Sequence, residues 1–331
     1  MTIRPAADTT HMTEKFYDIF NGDADGICAL QQLRLDDPRP AELVTGVKRD
    51  TRLLEKVPVE KGIRMTVLDI SMKSNMPALR RLLGGGAHCQ YFDHHAPGDP
   101  FEHVNLERHI DTAPDLCTSL IVDRHLSGRQ RLWAIVGAFG DNMVQSAVRI
   151  AQPLGLDHTE LARLHELGDC INYNAYGETI DDLHYPPADL YAAIAPYRDP
   201  RQFIYDEPIF DVLREAYADD LQRVEGLLPE TETPTTAAYM LPDAGWSRRV
   251  QGIFGNRLAQ KHPARAHAIL VQTGEDAYKV SVRAALQRPH DADTLCLSFE
   301  TGGGRKSAAG INRLPAGDLP RFIVEFQNLC G

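Results

Sequence analysis

Through the first 141 positions, short β-rich apolar runs are separated by stretches of helical spacing. Phe16–Phe20, Met65–Leu68 and Cys89–Phe92 are such runs, and Ala134–Phe139 is a longer apolar segment. Between them, Ile27–Leu35 and Pro77–Leu83 carry apolar residues at helical intervals. Strands that alternate with helices predict an α/β unit built on a parallel sheet with helices on its faces. From Thr159 to about Tyr217 the pattern is mainly helical, interrupted at Pro186, Pro187 and Pro200. Leu228–Thr235 is rich in turn formers and poor in apolar residues, the composition of a linker. Beyond it, Ala237–Leu241, Ala268–Gln272 and Ala277–Ala284 read as strands, and Gln251–Ala259 and Leu319–Leu329 as helices. The expected organisation is a first domain at 1–185, a helical connection and linker at 186–235, and a smaller α/β domain at 236–331.

The apolar runs end on residues that carry chemistry. Phe16–Phe20 leads into Asn21-Gly22-Asp23-Ala24-Asp25-Gly26, Met65–Leu68 into Asp69, Cys89–Phe92 into Asp93-His94-His95, and Ala134–Phe139 into Gly140-Asp141. In an open parallel sheet the carboxyl ends of the strands form the ligand crevice, so acids placed there converge despite wide sequence separation. On an extended chain Asp23 and Asp25 point to one side and can face a single cation. Like charges that close raise each other's cost of ionising unless a cation lies between them. His94 and His95, being adjacent, point to opposite sides and take different tasks. Oxygen-rich ligands with one or two imidazoles favour manganese or magnesium over zinc. Thr118-Ser119, at the start of a helical segment, could bind phosphate through backbone N–H groups or cap the helix, capping being the default. Near the C-terminus, Gly302-Gly303-Gly304-Arg305-Lys306 places three glycines before two cations, which as a helix start would offer N–H donors to an anion.

In this order the runs resemble the motifs of the DHH phosphoesterase family: Asp23 and Asp25 the first, Asp69 the second, Asp93-His94-His95 the third and Asp141 the fourth. Gly302–Gly310 is similar to the signature of the family's associated substrate-binding domain. The resemblance implies an N-terminal parallel-sheet DHH domain with helices on both faces and a smaller C-terminal substrate domain. It also implies two Mn²⁺ ions, or Mg²⁺, on Asp23, Asp25, Asp69, His94 and Asp141, with Asp69 bridging. His95 would stand beside the substrate phosphate, with Asn21 and Asp93 supporting the ligands from behind. Gly302, Gly303, Gly304, Arg305 and Lys306 would hold the substrate, Arg305 also stabilising charge on its phosphate.

The implied activity is hydrolysis of short oligonucleotides, or of linear dinucleotides such as the pGpG left by cyclic-di-GMP breakdown, as in nanoRNase-like members. Alternatives are a 3′-phosphoadenosine 5′-phosphate phosphatase, a RecJ-like exonuclease, and a degenerate nucleotide-binding regulator without catalysis. Two departures stand out. Many members carry a histidine four residues before the first aspartate, where this chain has Ile19, and exonuclease-like members have an acid where it has Asn21. The glycine run usually continues with histidine, whereas Arg305 and Lys306 follow here.

Composition narrows the partners. The 331 residues carry a net charge of −11, which counts against wrapping long nucleic acid. Residues 233–331 hold 12 Lys and Arg against 8 Asp and Glu, while the remainder holds 23 against 38. An acidic metal-binding part and a mildly basic part suit a small phosphorylated ligand. No run approaches a membrane span, the polar start Met1–Asp8 lacks the apolar core of a secretory signal, and six cysteines without a C-x-x-C pair read as reduced thiols. A cytoplasmic protein is expected, and a homodimer remains open.

Overall fold

The computed structural model describes residues 14–330; Met1–Asp8 lies outside them. The described residues form two compact units, one of 14–175 and 185–210, the other of 176–184 and 211–330.

In the first unit, strands β1 (Lys15–Phe20), β2 (Glu42–Val44), β3 (Ile63–Leu68), β4 (His88–Asp93) and β5 (Leu106–Ile110) form an all-parallel sheet in the order β2-β1-β3-β4-β5. Its helices are α1 (Ala24–Asp36), α2 (Met72–Gly84), α3 (Thr118–His125), α4 (Arg131–Gly140), α5 (Val144–Ala151), α6 (His158–Ala175), α7 (Pro187–Ile194) and α8 (Pro200–Asp206). One face of the sheet presents Tyr17, Ile19, Met65, Val67, Cys89 and Tyr91 to an apolar cluster that includes Leu79, Leu82 and Leu83 of α2. Residues of the opposite parity, Phe20, Leu68 and Phe92, are also buried. Burial on both faces is why these strands read as near-continuous apolar runs. The strand order reverses between β1 and β3, and in such sheets the crevice at the carboxyl ends beside that reversal is where ligands bind.

The segment Ala134–Phe139, expected as a strand, is instead the middle of α4. Every residue from Trp133 to Gly140 is buried, because α4 packs against α1, α3, α5 and α6. A helix covered on all sides has no polar face, so its apolar run looks like that of a buried strand. Asp141 therefore follows a helix and not a strand.

The second unit begins with α9 (Pro208–Val224), whose first turn lies in the first unit, and continues through β6 (Thr231–Glu232), β7 (Thr236–Leu241), α10 (Gly245–Lys261), β8 (Ala266–Thr273), β9 (Ala277–Arg283), α11 (Ala292–Leu297), β10 (Gly302–Arg305), β11 (Ala308–Pro315) and α12 (Leu319–Cys330). Its six strands run β10-β11-β9-β8-β7-β6, with β7 and β8 parallel and the other neighbours antiparallel. The stretch 186–235, expected as a separate connection, is divided between the units. Its helices to position 210 pack in the first, and 228–235 belongs to the second and contains β6. Residues 176–184 join the second unit because the Asp182 carboxylate accepts from Arg248 Nε at 2.9 Å and Arg248 Nη2 at 2.8 Å.

The glycine run is another departure from expectation. Gly302–Arg305 is an edge strand in a hairpin with β11, pairing Gly303 with Gly310 and Arg305 with Ala308. Gly304 has φ 144° and no room for a Cβ, which would lie 2.4 Å from Ala309 Cα. Gly304 thus serves a close hairpin, and the run is no helix N-terminus.

The contact between α4 and α6 depends on Gly168, where a Cβ would lie 2.5 Å from the Val136 carbonyl and 2.8 Å from Gly140 N. Gly168→Ala is expected to lower unfolding stability by about 1–3 kcal/mol, because backbone cannot yield as a side-chain tip can. A denaturant titration checks this; unchanged stability would show that the two helices separate freely.

Candidate metal centre

Asn21, Asp23 and Asp25 follow β1, but the chain is extended only as far as Asp23. Asp23 is the N-cap of α1, accepting from Gly26 N at 3.1 Å, and Asp25 lies in the first helical turn. The expectation of two carboxylates on one side of an extended segment is thus replaced by a cap and a helical residue with different partners. Asp25 accepts Thr118 N and Ser119 N, each at 2.7 Å. The start of α3 is therefore occupied by the protein's own carboxylate, an arrangement the helix dipole favours. Neither N–H is left for a phosphate.

Asp69 follows β3 with φ 56°, a left-handed backbone that non-glycine residues seldom adopt, and accepts Thr118 Oγ1 at 3.2 Å. Asp93 ends β4 fully buried and receives His94 N at 2.9 Å and His95 Nδ1 at 2.7 Å on the same oxygen. His94 donates from Nδ1 to the Leu116 carbonyl at 3.1 Å; because a carbonyl only accepts, Nε2 is the nitrogen that carries the lone pair in the neutral ring. That Nε2 lies 3.5 Å from Asp69 Oδ1 and 3.9 Å from Asp141 Oδ2. Asn21 stands behind the site, its Oδ1 accepting Asp23 N at 3.3 Å.

The structure brings Asp23, Asp25, Asp69, His94, His95 and Asp141 together. It also adds a residue that the sequence reading missed. Lys48 Nζ lies 2.6 Å from Asp23 Oδ2 and 3.9 Å from Asp141 Oδ1, and donates to Asn172 Oδ1 at 3.0 Å. Lys48 follows the short strand β2, beside β1, so the strand-end rule applied to β2 would have flagged it. Its loop approaches closely because position 22 is glycine: a Cβ there would lie 2.1 Å from the Gly46 carbonyl. The usual histidine position, Ile19, is wholly buried in the apolar cluster under the sheet.

Crowding marks the acids. Burial pushes Asp69 well above the ordinary carboxylate range, and Asp23, Asp25 and Asp141 add to the rise. Burial, then Asp25, brings Asp141 up to about 7, against the pull of Lys48. For Asp23, burial acts upward, but the Lys48 ammonium and its hydrogen bond outweigh it and hold the carboxyl low. His95 is raised, chiefly by its hydrogen bond to Asp93. Among the described residues, Asp69, His94 and His95 form one group whose ligand atoms lie within 4.8 Å of one another; Asp25, Cys117 and Asp141 form another. Burial and Asp25 push the Cys117 thiol up, leaving it a poor ligand for a hard ion. Carboxylates whose ionisation is disfavoured by burial and by one another, beside an imidazole, fit a hard divalent cation.

No protein-family model and no curated protein matches the chain. Among solved structures, it shares the fold of an exonuclease RecJ bound to manganese, at 18% identity and TM-score 0.62, covering 95% of this chain and 89% of that one. The DHH domain of a member of the s1p family of ribosomal proteins matches at 15% identity and TM-score 0.63, over 95% and 86% of the chains. A pGpG-specific phosphodiesterase from Vibrio cholerae matches at 14% identity and TM-score 0.57, over 96% of this chain and all of that one. The chain thus has the two-unit α/β fold of DHH-domain proteins.

Two isosteric changes should move the metal-free protein in opposite directions. The folded-state pKa of Asp69 is raised, so its ionisation costs stability as pH climbs from about 4 through the folded value. Asp69→Asn removes that cost and should raise the melting temperature in chelator at pH 8. Asp25→Asn turns an acceptor into a donor facing Thr118 N or Ser119 N and should lower stability by about 1–3 kcal/mol. Thermal unfolding with EDTA reads both; shifts of the same sign would contradict this account of the charges.

Proposed function

We propose that this chain is a metal-dependent phosphoesterase of the DHH family that hydrolyses short oligonucleotides, or linear dinucleotides such as pGpG, to mononucleotides. The observation that carries the reading is the gathering of Asp23, Asp25, Asp69, His94 and Asp141 around one crevice, with the ring of His95 beside them. Manganese or magnesium held in this crevice would neutralise phosphate charge and bring the acidity of a water near working pH. The N–H groups of Thr118 and Ser119 lock the Asp25 carboxylate, and the Thr118 hydroxyl steadies Asp69. The Leu116 carbonyl sets the tautomer of His94. His95, braced by Asp93 and half exposed, is free to turn Nε2 toward a substrate and donate to a non-bridging phosphate oxygen. Its raised pKa increases the protonated fraction available for that bond.

For a short substrate, the support is the net charge of −11 and the match to the Vibrio phosphodiesterase over that protein's whole length. Arg305 and Lys306 are exposed at the turn of the β10–β11 hairpin, and we assign them to a substrate phosphate through their side chains. The second reading, a nucleotide-binding regulator, is favoured by the apolar surroundings of Ile19.

Purified protein with Mn²⁺, offered pGpG, pApA, longer oligoribonucleotides and 3′-phosphoadenosine 5′-phosphate, should cleave the dinucleotides fastest. Binding without hydrolysis of any would favour the regulator. In the same assay Asp69→Ala should fall to background, while His95→Ala should lose turnover yet keep the wild-type metal content. Loss of metal from His95→Ala would show that His94 and His95 have each other's roles.

Arg305→Ala removes a charge-assisted hydrogen bond typically worth about 1.5–3 kcal/mol, so kcat/KM for pGpG should drop on the order of 10- to 100-fold. Arg305→Lys should recover part of this, because a point charge replaces a fork of donors. On bis(p-nitrophenyl) phosphate, which has no second phosphate, most of the difference should vanish. A wild-type rate on pGpG would place substrate binding elsewhere.

A further inference from the structure

The position of Lys48 bears on how many ions the centre takes. Its backbone is fixed at both ends, the N–H by the Ala175 carbonyl at 3.0 Å and the carbonyl by Asn21 Nδ2 at 3.4 Å. Its ammonium, 2.6 Å from Asp23 Oδ2, is shared with Asn172 Oδ1 at 3.0 Å. The other oxygen of Asp23 accepts the Gly26 N–H. A hard divalent ion on Asp23 Oδ2 would need to approach to about 2.0–2.2 Å, into space the ammonium already holds.

Other donors on that side are few. Ile19 offers no ligand atom and is enclosed by apolar side chains. Asn21 directs its oxygen to Asp23 N and its amide nitrogen to Lys48. The remaining donors are the carboxylates of Asp25, Asp69 and Asp141 and the His94 imidazole; His94 Nε2 lies within 3.9 Å of both Asp69 and Asp141, and Asp25 and Asp141 share a second group of ligand atoms. Among the described residues, Asp23 belongs to neither group of ligand atoms lying within 4.8 Å of one another, and its carboxyl reaches that set only through a hydrogen bond with Asp69.

We propose that the Lys48 ammonium stands in for a second divalent ion on the Asp23 side, so that the centre binds a single ion on Asp25, Asp69, His94 and Asp141. The proposal rests on the phosphoesterase reading and deepens it by setting the ion count. In this arrangement Asp23 is a partner of the lysine and no ligand. Lys48, fixed beside the ion, supplies the positive charge that would face the far side of a bound phosphate.

Metal content and electron paramagnetic resonance of the full-length protein at saturating Mn²⁺ test this without reference to activity. The wild type should hold one ion per chain with the resolved hyperfine pattern of an isolated Mn²⁺. Lys48→Asn, which replaces the ammonium with a neutral oxygen donor, should take up a second ion and show the broadening of a coupled pair about 3.5–4 Å apart. Two ions in the wild type, or one ion in both proteins, would overturn the role of Lys48 and leave the phosphoesterase reading standing. No ion in the wild type would overturn the metal reading itself. The wild-type count is decisive even if the variant folds poorly.

Discussion

Four carboxylates, Asp23, Asp25, Asp69 and Asp141, meet at the carboxyl ends of β1 and β3 and the end of α4, three of them almost wholly buried. Like charges withdrawn from water repel strongly, and protein does not assemble them without a compensating partner. The surroundings supply compensation to each acid separately. Asp25 has two N–H groups at the start of α3, Asp23 has Lys48 and the cap of α1, Asp69 has the Thr118 hydroxyl, and Asp141 has Lys48 and His94 at longer range. What remains uncompensated is concentrated on Asp69 and Asp141, whose protons are held unusually tightly. This residue of charge is the driving force for a cation.

The fold follows from the same constraint. A strand-order reversal between β1 and β3 opens the crevice, and the helices α1, α3, α4 and α6 close its floor. Close contact at Gly168 brings the backbone of α6 against the end of α4, and close contact at Gly22 brings the loop of Lys48 against that of Asp23. Backbone N–H groups at the starts of α1 and α3 are aimed at Asp23 and Asp25. The imidazoles complete the arrangement: His94 is turned inward by a carbonyl and His95 is held at the rim by Asp93.

Much of this was legible in the sequence. The runs Phe16–Phe20, Met65–Leu68 and Cys89–Phe92 are strands, and the residues after them are those the structure gathers. Their apolar composition and the position of the acids share one cause, a parallel sheet buried on both faces and open at one end. Four features escaped for physical reasons. The α4 segment lacks helical periodicity because it is buried all round, the Gly302–Gly304 run satisfies a hairpin as readily as a helix start, and Asp25 leaves the extended chain because Asp23 caps α1. Lys48 escaped because it follows a strand of three residues, too short to show a pattern, and nothing near it in sequence reports its ionic partners.

If the crowded carboxylates are the reason for the centre, a divalent ion must displace the protons they hold. Titrating Mn²⁺ into the protein at pH 7 in buffers of different ionisation enthalpy counts those protons calorimetrically. The account predicts net proton release on binding at pH 7, decreasing as pH rises well above 7, because burial and neighbouring acids bring Asp141 up to about 7 and raise Asp69. Binding with no proton release at pH 7 would mean that the acids are already ionised and that their mutual repulsion does not create the site.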